Sequence, residues 1–388
     1  MGGLVSRGRR IQSDYLITYE LGSGGFSVVK LAVNKKSGLE CAVKIVEKSK
    51  LSEGDLLSLQ HEVDILNSLN HPNIIKCYDV YDEPEFYYIV TELVTGGELF
   101  DRILTKVHYT EKEARDLSKV LLTSIKYLHS TGIVHRDLKP ENLLLCTDES
   151  DAEIKLCDFG LAKRIVDLTE SEPTLGTPAY IAPEILRGDK YGAEVDIWST
   201  GVIIYFLIAG IPPFYVEDPT EHKKLFKKIK SGKFCFWEEY FANVSKEAQD
   251  IIQRMLTVSQ VDRWTIDQLL EHPWLKMDES QLSATDLSST IEVMKKWNAK
   301  IKFKGAARLI MSIRKMADKS FSDSIKSNSF SNGESAENDK KIIEKRSQTM
   351  RVVGTLEPKV PIMIDNTDDD VDEDVTVPPI VLDYKIVD

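Results

Sequence analysis

Two polar stretches carry the residue types that phosphoryl transfer needs. Residues 135–142 read His-Arg-Asp-Leu-Lys-Pro-Glu-Asn, and residues 158–160, which read Asp-Phe-Gly, begin sixteen residues after Asn142. The Asp137 carboxylate could accept a hydroxyl proton, while the Asn142 amide oxygen and the Asp158 carboxylate could hold divalent metal ions. Phosphoryl transfer depends mostly on positioning and on neutralising the charge of the transferred group. The two stretches therefore predict a two-metal phosphoryl-transfer site.

The composition is ordinary for a globular chain and restricts its partners. The 388 residues are 42% hydrophobic and 29% charged, which allows two lobes and a tail. A net charge of −12 argues against general nucleic-acid binding. The five cysteines form no CxxC pair and no signal peptide is evident, so we expect a cytoplasmic location without disulfides or structural zinc. The apolar run from Ile197 to Phe214 is broken and ends in prolines, which predicts a buried helix.

The stretches at 135–142 and 158–160 resemble the catalytic and metal-binding loops of eukaryotic protein kinases. The resemblance implies an α+β fold of two lobes, a small β-rich N-lobe and a large helical C-lobe, with ATP and Mg²⁺ as cofactors. It implies that Asp137 is the catalytic base, that Lys139 steadies the transferred phosphoryl group, and that Asn142 and Asp158 bind the metal ions. Lys139 and Thr177 match kinases of serine and threonine. The implied catalytic domain covers 15–275, divided into N-lobe 15–91, hinge 92–97 and C-lobe 98–275.

A glycine-rich string between two predicted strands is a candidate nucleotide loop. Residues 21–29 read Leu-Gly-Ser-Gly-Gly-Phe-Ser-Val-Val, and glycines there let the backbone approach phosphates closely. A plain hairpin is the alternative. The kinase resemblance implies nucleotide contacts at Gly22, Gly24, Ser27 and Val29, with Ser27 where the family usually has a third glycine.

The resemblance also implies a lysine–glutamate pair. Lys44 lies in the apolar strand pattern Cys-Ala-Val-Lys and would contact the nucleotide phosphates, with Glu62 of the next helix, predicted over about 56–69, as its partner. The alternatives are a surface lysine at a strand end and a solvated helix charge. The strand signal at 87–90 leads into a hinge, where Glu92 and Val94 would offer backbone groups to adenine.

Three further positions have predicted roles in substrate binding and helix geometry. By resemblance to basophilic kinases, Glu98 would bind an arginine three residues before the phosphorylated residue; a carboxylate that complements a helix N-terminus is the alternative. Thr110 and Glu113 predict a capping box at the start of a long helix that ends near Ser130. The resemblance also implies an internal ion pair between Glu184 and Arg263.

The activation segment implied by the resemblance runs from Leu161 to Glu184. Arg136 would pair with a phosphate on this segment, and Thr174 is the candidate acceptor. Thr174 lies two residues before Gly176, whereas relatives activated by an upstream kinase have the threonine three before it. The spacing favours independence from phosphorylation of this segment.

A basic amphipathic stretch follows the catalytic domain. Between Glu292 and Lys319 there are nine Lys or Arg and two acidic residues, with apolar residues at helical spacing. Such a helix binds calmodulin or a membrane surface. A helix packed permanently on the catalytic domain is the alternative, which Gly305 and the charge density disfavour. The candidate calmodulin anchors are Trp297, Phe303, Ile310 and Met316.

Residues 295–306 resemble the junction between the autoinhibitory and calmodulin-binding parts of the calcium/calmodulin-dependent protein kinases. The resemblance implies that 276–319 is an autoinhibitory and calmodulin-binding segment, in which residues from about Ser280 to Met316 occupy the substrate cleft until Ca²⁺-calmodulin captures them. Thr290 lies where one branch of this family autophosphorylates, although Leu287 replaces the arginine three residues upstream. The acidic run at 365–374 lacks EF-hand spacing, so calcium should arrive with a separate calmodulin.

The two ends of the chain have their own predictions. Glycine at position 2 and serine at position 6 fit N-myristoylation at Gly2, and three arginines follow within residues 7–10. Residues 1–14 could thus contact a membrane peripherally; a chance match to a short motif is the alternative. Residues 320–388 are polar and acidic and are predicted to be disordered. No association domain is evident, so we expect a monomer.

These observations leave three functional hypotheses. The leading one is a serine/threonine kinase activated by Ca²⁺-calmodulin. The second is a kinase of the same group that is regulated without calmodulin. The third is a membrane-tethered, calmodulin-binding pseudokinase scaffold, which the joint presence of Lys44, Glu62, Asp137, Asn142 and Asp158 disfavours.

Overall fold

The computed structural model describes residues 5–7, 9–23, 27–147, 153–168, 178–218 and 221–300. Several residues singled out above lie outside these ranges: Gly2, Gly24, Thr174, Thr177, Phe303, Ile310 and Met316. The strands are β1 (Val5–Arg7), β2 (Tyr15–Ser23), β3 (Ser27–Asn34), β4 (Glu40–Glu47), β5 (Cys77–Asp82), β6 (Phe86–Glu92), β7 (Ile133–Val134), β8 (Leu143–Leu145), β9 (Ile154–Leu156) and β10 (Lys163–Arg164). The helices are α1 (Ile11–Asp14), α2 (Glu53–Ser68), α3 (Leu99–Thr105), α4 (Glu111–Ser130), α5 (Pro183–Arg187), α6 (Glu194–Ala209), α7 (His222–Ser231), α8 (Glu238–Phe241), α9 (Lys246–Met255), α10 (Ile266–Leu270), α11 (Glu279–Ala284) and α12 (288–300).

A six-stranded sheet with helix α2 forms the N-lobe. The strand order is β1-β5-β6-β4-β3-β2, and every neighbouring pair is antiparallel except β1 and β5, which are parallel. Cys41 and Val43 of β4 are fully buried, as expected for alternate residues of a strand with one face on a core. The register pairs Lys44 with Val29 of β3 and with Ile89 of β6. Lys44 therefore lies in the interior of the sheet.

The N-lobe begins before the predicted boundary at residue 15. Strand β1 pairs with the edge strand β5, and Ile11 of α1 is completely buried. The Tyr81 hydroxyl donates to Asp14 Oδ2 at 2.8 Å, and the backbone N–H of Ile11 donates to Glu83 Oε1 at 2.9 Å. These contacts make the described residues before Tyr15 a part of the small lobe.

Local signals in the sequence explain how α2 and α4 begin. The Ser52 hydroxyl accepts a hydrogen bond from the backbone N–H of Asp55, and the Asp55 carboxylate accepts one from the Ser52 backbone N–H. Thr110 and Glu113 form the same reciprocal capping box at α4, as the sequence predicted. Each box satisfies backbone N–H groups that have no partner within the helix. Helix α4, whose C-terminal end at Ser130 leads towards the catalytic loop, is thereby fixed at its N-terminus.

The C-lobe is helical and built around α6. All but the first of the sixteen residues of α6 are buried, which confirms that the apolar run forms a core helix. A Cβ added at Gly201 would lie 2.8 Å from Met255 Cβ, so α6 and α9 approach closely there. Within the described residues, no helix is long and apolar enough to cross a membrane. A β-rich small lobe and a helical large lobe confirm the predicted α+β fold class.

Candidate active site

An ion pair joins the N-lobe sheet to helix α2. Lys44 Nζ lies 2.9 Å from Glu62 Oε1, and Glu62 is only 8% exposed. A carboxylate this buried needs a cationic partner, and the ion pair holds the Lys44 ammonium in one place. The structure thus brings together the two residues that the sequence analysis paired.

The strands on either side of the glycine-rich string form a hairpin-like pair. Gly22 of β2 is opposite Val29 of β3, and Ser23 is opposite Val28. A Cβ added at Gly22 would meet no atom of the described residues within 4 Å, so none of those residues fills the space beside this position. Ser27 begins β3. Gly22, Ser27 and Val29 therefore flank a turn whose tip lies outside the described residues.

The hinge is tied to both lobes through Glu92. Its Oε1 accepts a hydrogen bond from the backbone N–H of Lys76 at 2.7 Å and lies 2.9 Å from Lys155 Nζ. Glu92 ends β6, and Val94 follows it in a stretch without regular structure. The Glu92 carboxylate, which sequence analysis did not use, thus connects β6 to β5 and to β9 of the C-lobe.

The catalytic loop places Asp137 beside Lys139. Lys139 Nζ donates to Asp137 Oδ2 at 2.6 Å, and Asp137 is 8% exposed. Burial lowers the pKa of Lys139, but the hydrogen bond and the charge of Asp137 outweigh burial, so the pKa is raised overall. Lys139 therefore stays protonated and faces a carboxylate that can accept a proton from a third group.

Asn142 and Asp158 form a donor set suited to Mg²⁺. The Asn142 Nδ2 donates to the Asp137 carbonyl at 2.8 Å, which leaves its amide oxygen as the group able to bind a cation. A Cβ added at Gly160 would lie 3.3 Å from Asp158 Oδ1 and 3.8 Å from Glu62 Oε2, so these two carboxylates flank the same glycine. No cluster of three or more His, Cys, Asp or Glu suited to a metal occurs in the described part of the chain. Two oxygen donors fit Mg²⁺, which takes its remaining ligands from water and phosphate.

Two residues at this site adopt unusual backbone conformations. Arg136 has a φ of 68° and Asp158 a φ of 63°, in the left-handed region that non-glycine residues rarely occupy. Such conformations cost energy and persist where surrounding contacts hold them. For Arg136 the holding contact is a hydrogen bond from its backbone N–H to Asp196 Oδ1 at 2.9 Å.

Asp196 of helix α6 holds the backbone of the catalytic loop through hydrogen bonds. Its Oδ2 accepts hydrogen bonds from the His135 backbone N–H at 2.9 Å and contacts His129 Nε2 at 3.0 Å. Burial raises the pKa of Asp196, but the contacts with His129 and His135 more than offset it, so the pKa is lowered. The sequence predicted only a buried helix in this region and no role for Asp196, because the partners of Asp196 lie about sixty residues away in the chain.

His135 itself is a packing residue. It is completely buried, and its ring centroid lies 5.0 Å from that of Phe159. Burial lowers its pKa, so the ring stays neutral. It supports the loop from inside the C-lobe.

Comparison with known proteins agrees with this geometry. The protein kinase domain family matches residues 15–275. This chain belongs to the protein kinase family. Two relatives are calcium/calmodulin-dependent kinases: the type II kinase of Caenorhabditis elegans is 42% identical over 81% of this chain and 43% of its own length, and the type II alpha chain of Drosophila melanogaster is 42% identical over 76% of this chain and 56% of its own.

A third relative matches along most of its length. Myosin light chain kinase A of Dictyostelium discoideum is 45% identical over 70% of this chain and 90% of its own length. This chain, by contrast, spans about half the length of the two type II relatives. The similarity confirms the resemblance to the calcium/calmodulin-dependent protein kinase family that the sequence indicated.

The activation segment has two described anchors. Glu184 and Arg263 form the predicted ion pair, with Nη1–Oε1 and Nη2–Oε2 distances of 2.6 and 3.0 Å and both side chains fully buried. Arg136 Nε donates to the Leu161 carbonyl at 2.7 Å, and its Nη1 donates to the Tyr191 hydroxyl at 2.9 Å. The predicted pairing of Arg136 with a phosphate on Thr174 stays a prediction, since Thr174 lies outside the described residues.

Helix α12 packs on the C-lobe beside the predicted substrate residue Glu98. The lining of a cavity of about 160 Å³ includes the carboxylates Glu98, Asp101 and Glu141 together with Met294 and Trp297 of α12. Glu98 precedes α3, and its side chain makes no capping hydrogen bond there. Within this structure α12 therefore borders the same cavity as Glu98.

The contacts of α12 are mostly apolar. Ile291 and Met294 are at most 2% exposed. The Trp297 ring packs edge-on against Tyr215 with centroids 5.3 Å apart, and Lys300 Nζ lies 3.1 Å from Glu217 Oε2. Trp297, a candidate calmodulin anchor, is thus engaged with the C-lobe in this state.

Thr290 is enclosed by the same contacts. It is 4% exposed, and its hydroxyl donates to the carbonyl of Ile208 at 2.7 Å. A buried hydroxyl whose proton is committed to a carbonyl cannot reach a kinase active site. Any phosphorylation of Thr290 therefore requires that α12 first leave the C-lobe.

Proposed function

We propose that this protein transfers the γ-phosphoryl group of ATP to serine or threonine residues of protein substrates. The observation that supports this most directly is the contact of Lys139 with Asp137 on a loop held by Asp196. A pseudokinase would need neither the Lys44–Glu62 pair nor this contact.

Each side chain has a defined task in the reaction. Lys44, held by Glu62, binds the phosphates of ATP that remain after transfer. Asp137 orients the substrate hydroxyl and accepts its proton as the hydroxyl oxygen bonds to the γ-phosphorus and the bond to ADP breaks. Lys139 stabilises the charge on the transferred phosphoryl group.

Asn142 and Asp158 would hold the magnesium ions. Bound Mg²⁺ supplies positive charge that neutralises the phosphate oxygens. The hinge carries the adenine, through backbone groups at Glu92 and Val94, and the Glu92 carboxylate keeps this stretch in place by its contact with Lys155.

The acidic cavity supports a preference for basic substrates. Three carboxylates, those of Glu98, Asp101 and Glu141, line one cavity, and carboxylates bind guanidinium groups with strong, directed hydrogen bonds. We propose that Glu98 receives an arginine three residues before the phosphorylated residue.

Peptide kinetics test this specificity. We expect an arginine-containing serine peptide to have a kcat/KM about tenfold higher than the same peptide with alanine at that position. Glu98→Gln should raise KM for the arginine peptide and leave the alanine peptide unaffected, whereas Glu40→Gln, an exposed change in the N-lobe, should alter neither. Equal KM values for both peptides in every variant would refute the role of Glu98. Undiminished phosphate transfer by a variant in which Asp137 is replaced would refute the proposed reaction itself.

We further propose that α12 is an autoinhibitory segment that Ca²⁺-calmodulin removes. Its position beside Glu98 and the basic stretch that continues from Lys295 support this, as do the names of the type II relatives. Calmodulin would bind the apolar face that α12 now buries against the C-lobe. Calmodulin binding thus competes with packing and shifts the population towards an open cleft.

Lipid attachment at Gly2 is a separate proposal about location. We propose a cytoplasmic monomer that contacts membranes peripherally through an N-myristoyl chain and the nearby arginines. Mass spectrometry of the protein from eukaryotic cells should find a myristoyl group, absent from Gly2→Ala; an unmodified wild-type N-terminus would remove the proposal.

A further inference from the structure

Helix α7 displays a row of lysines that neither the active site nor α12 uses. Residues 221–233 contain six lysines and one glutamate, a net of +5, in a chain whose net charge is −12. We name Lys223, Lys227, Lys230 and Lys233 the lysine face. All four are exposed, and within the described residues none of them forms an ion pair with a carboxylate. Three of these like charges lie on α7 and Lys233 lies two residues after its end. Charges this close repel one another, so a negative partner would relieve this cost.

The helix that carries the lysine face is firmly attached to the C-lobe. Leu225 and Ile229 are at most 8% exposed and belong to the main core. Lys228 Nζ donates to the Tyr215 carbonyl at 3.2 Å and lies over the Tyr215 ring, and Lys224 pairs with Glu221 at 2.7 Å. The apolar side of α7 is therefore fully used. A helix that binds membranes buries its apolar side in lipid, so these contacts favour a soluble acidic partner.

The position of α7 places the lysine face beside the end of the activation segment. Helix α7 packs against α5 and against the turn at Pro178–Tyr180. Arg187 Nη2 of α5 donates to the Lys230 carbonyl at 3.0 Å. Helix α5 also carries Glu184, whose ion pair with Arg263 braces this region. The helix that carries the lysine face thus packs against the C-terminal end of the activation segment.

We propose that the lysine face is a second substrate-recognition surface, which binds a run of Asp and Glu residues at some distance from the phosphorylated residue. This proposal rests on the proposed kinase function and adds a substrate class to it. The cavity with Glu98 would read a basic residue near the phosphorylated residue, and the lysine face would read acidic residues farther away. The preferred substrate is therefore bipolar in charge.

Two matched peptides test the proposal on the full chain with saturating Ca²⁺-calmodulin. Both contain the same arginine–serine acceptor and a flexible Gly/Ser spacer of about ten residues. One then carries a run of six Asp and Glu residues, and the other carries Asn and Gln in the same order; versions with the run before or after the acceptor cover both chain directions. Four exposed ion pairs of ordinary strength give about a tenfold higher kcat/KM for the acidic peptide at low salt, and this advantage disappears at high salt.

Two variants, each with four lysines changed to glutamine, distinguish an effect of the lysine face from an effect of the protein's overall charge. The test variant changes the lysine face to glutamine: Lys223→Gln, Lys227→Gln, Lys230→Gln and Lys233→Gln. The control changes four exposed lysines elsewhere that also lack an ion pair in the described residues: Lys35→Gln, Lys36→Gln, Lys119→Gln and Lys246→Gln. The acidic peptide should lose its advantage in the test variant and keep it in the control. Anisotropy of a fluorescent acidic peptide, measured without ATP, should show the same difference in binding.

Each other outcome overturns a defined statement. Equal kcat/KM for both peptides in the wild-type protein removes the lysine face as a recognition surface but leaves the kinase function intact. No phosphorylation of either peptide rejects the kinase function and the substrate role together, whatever the anisotropy shows. Sedimentation with vesicles of phosphatidylserine and phosphatidylcholine that depends on the lysine face, without selectivity between peptides, would assign the surface to membranes and overturn the proposal.

Discussion

Asp196 shows how one buried carboxylate can hold a catalytic loop in a strained shape. Its carboxylate accepts hydrogen bonds from the backbone N–H groups of His135 and Arg136 and contacts His129. The hydrogen bond from Arg136 helps to hold the positive φ of that residue. None of these contacts touches the reacting atoms. Asp196 is therefore a positioning residue that acts through the loop carrying Asp137.

Asp196→Asn should lower the free energy of unfolding by about 3 kcal/mol at pH 7, because a buried hydrogen-bonded charge is lost. The pKa of Asp196 is lowered in the folded protein, so its contribution is fully present above the unfolded value of about 3.9 and is lost as pH falls through the folded pKa. Urea unfolding of both proteins should thus show the difference at pH 7 and at pH 5, and a smaller one at pH 3. A difference that closes between pH 7 and pH 5 would contradict this.

Asp158→Asn tests the metal assignment. Removal of the charge should reduce phosphate transfer by at least about a thousandfold, since the protein would no longer hold the cation that neutralises the phosphate oxygens. The variant should bind calmodulin like the wild-type protein and unfold at a similar temperature, which shows that the loss is chemical. Normal transfer by a folded Asp158→Asn protein would overturn the assignment.

At the scale of single residues, the sequence predicted contacts that have a strong local signature. Thr110 and Glu113 are three residues apart, and Lys44 and Glu62 follow from the kinase resemblance. The sequence did not predict the contacts of Asp196 and of the Glu92 carboxylate, because each joins groups far apart in the chain. The residue type alone does not indicate which distant group a carboxylate will contact. Three residues of β1 also carried too weak a strand signal to predict their pairing with β5.

Helix α12 is the element on which the proposed regulation depends. It approaches the end of α6 so closely that a Cβ added at Gly210 would lie 2.7 Å from the Thr290 carbonyl oxygen and 3.1 Å from the Met294 backbone nitrogen. The sequence predicted a basic amphipathic helix over about 292–319 that binds calmodulin or a membrane surface, with permanent packing on the catalytic domain as the disfavoured alternative. The described part of this stretch, up to residue 300, packs on the C-lobe, and calmodulin binding is compatible with this packing if the packing is reversible.

Gly210→Ala should therefore loosen α12 without changing any residue that calmodulin would contact. We expect about a tenfold rise in activity without calmodulin, in the usual range for coupling between sites, and little change with saturating Ca²⁺-calmodulin. Gly188→Ala is the matched control, because Gly188 has the same backbone conformation, with φ of 77° against 76°, but open space around it. Equal effects of the two substitutions on basal activity would attribute the rise to backbone strain and contradict the steric role of α12.

Across the whole molecule, charge is distributed unevenly despite the net of −12. An acidic cavity at Glu98, the lysine face on α7 and the basic stretch from Lys295 each face a different kind of partner. The fold class and the catalytic constellation could be predicted because kinase motifs are long and specific. The lysine face could not, since only the structure shows which side of α7 is used by the core.

The central claim is that an intact kinase site is closed by its own C-terminal helix and opened by Ca²⁺-calmodulin. The most direct measurement is phosphate transfer from ATP to an arginine-containing serine peptide by the full-length protein, with and without Ca²⁺-calmodulin. We expect slow transfer alone and at least a tenfold increase with Ca²⁺-calmodulin, reversed by removal of calcium. Equal rates under both conditions would leave the kinase and remove the switch, and no transfer under either would contradict the account as a whole.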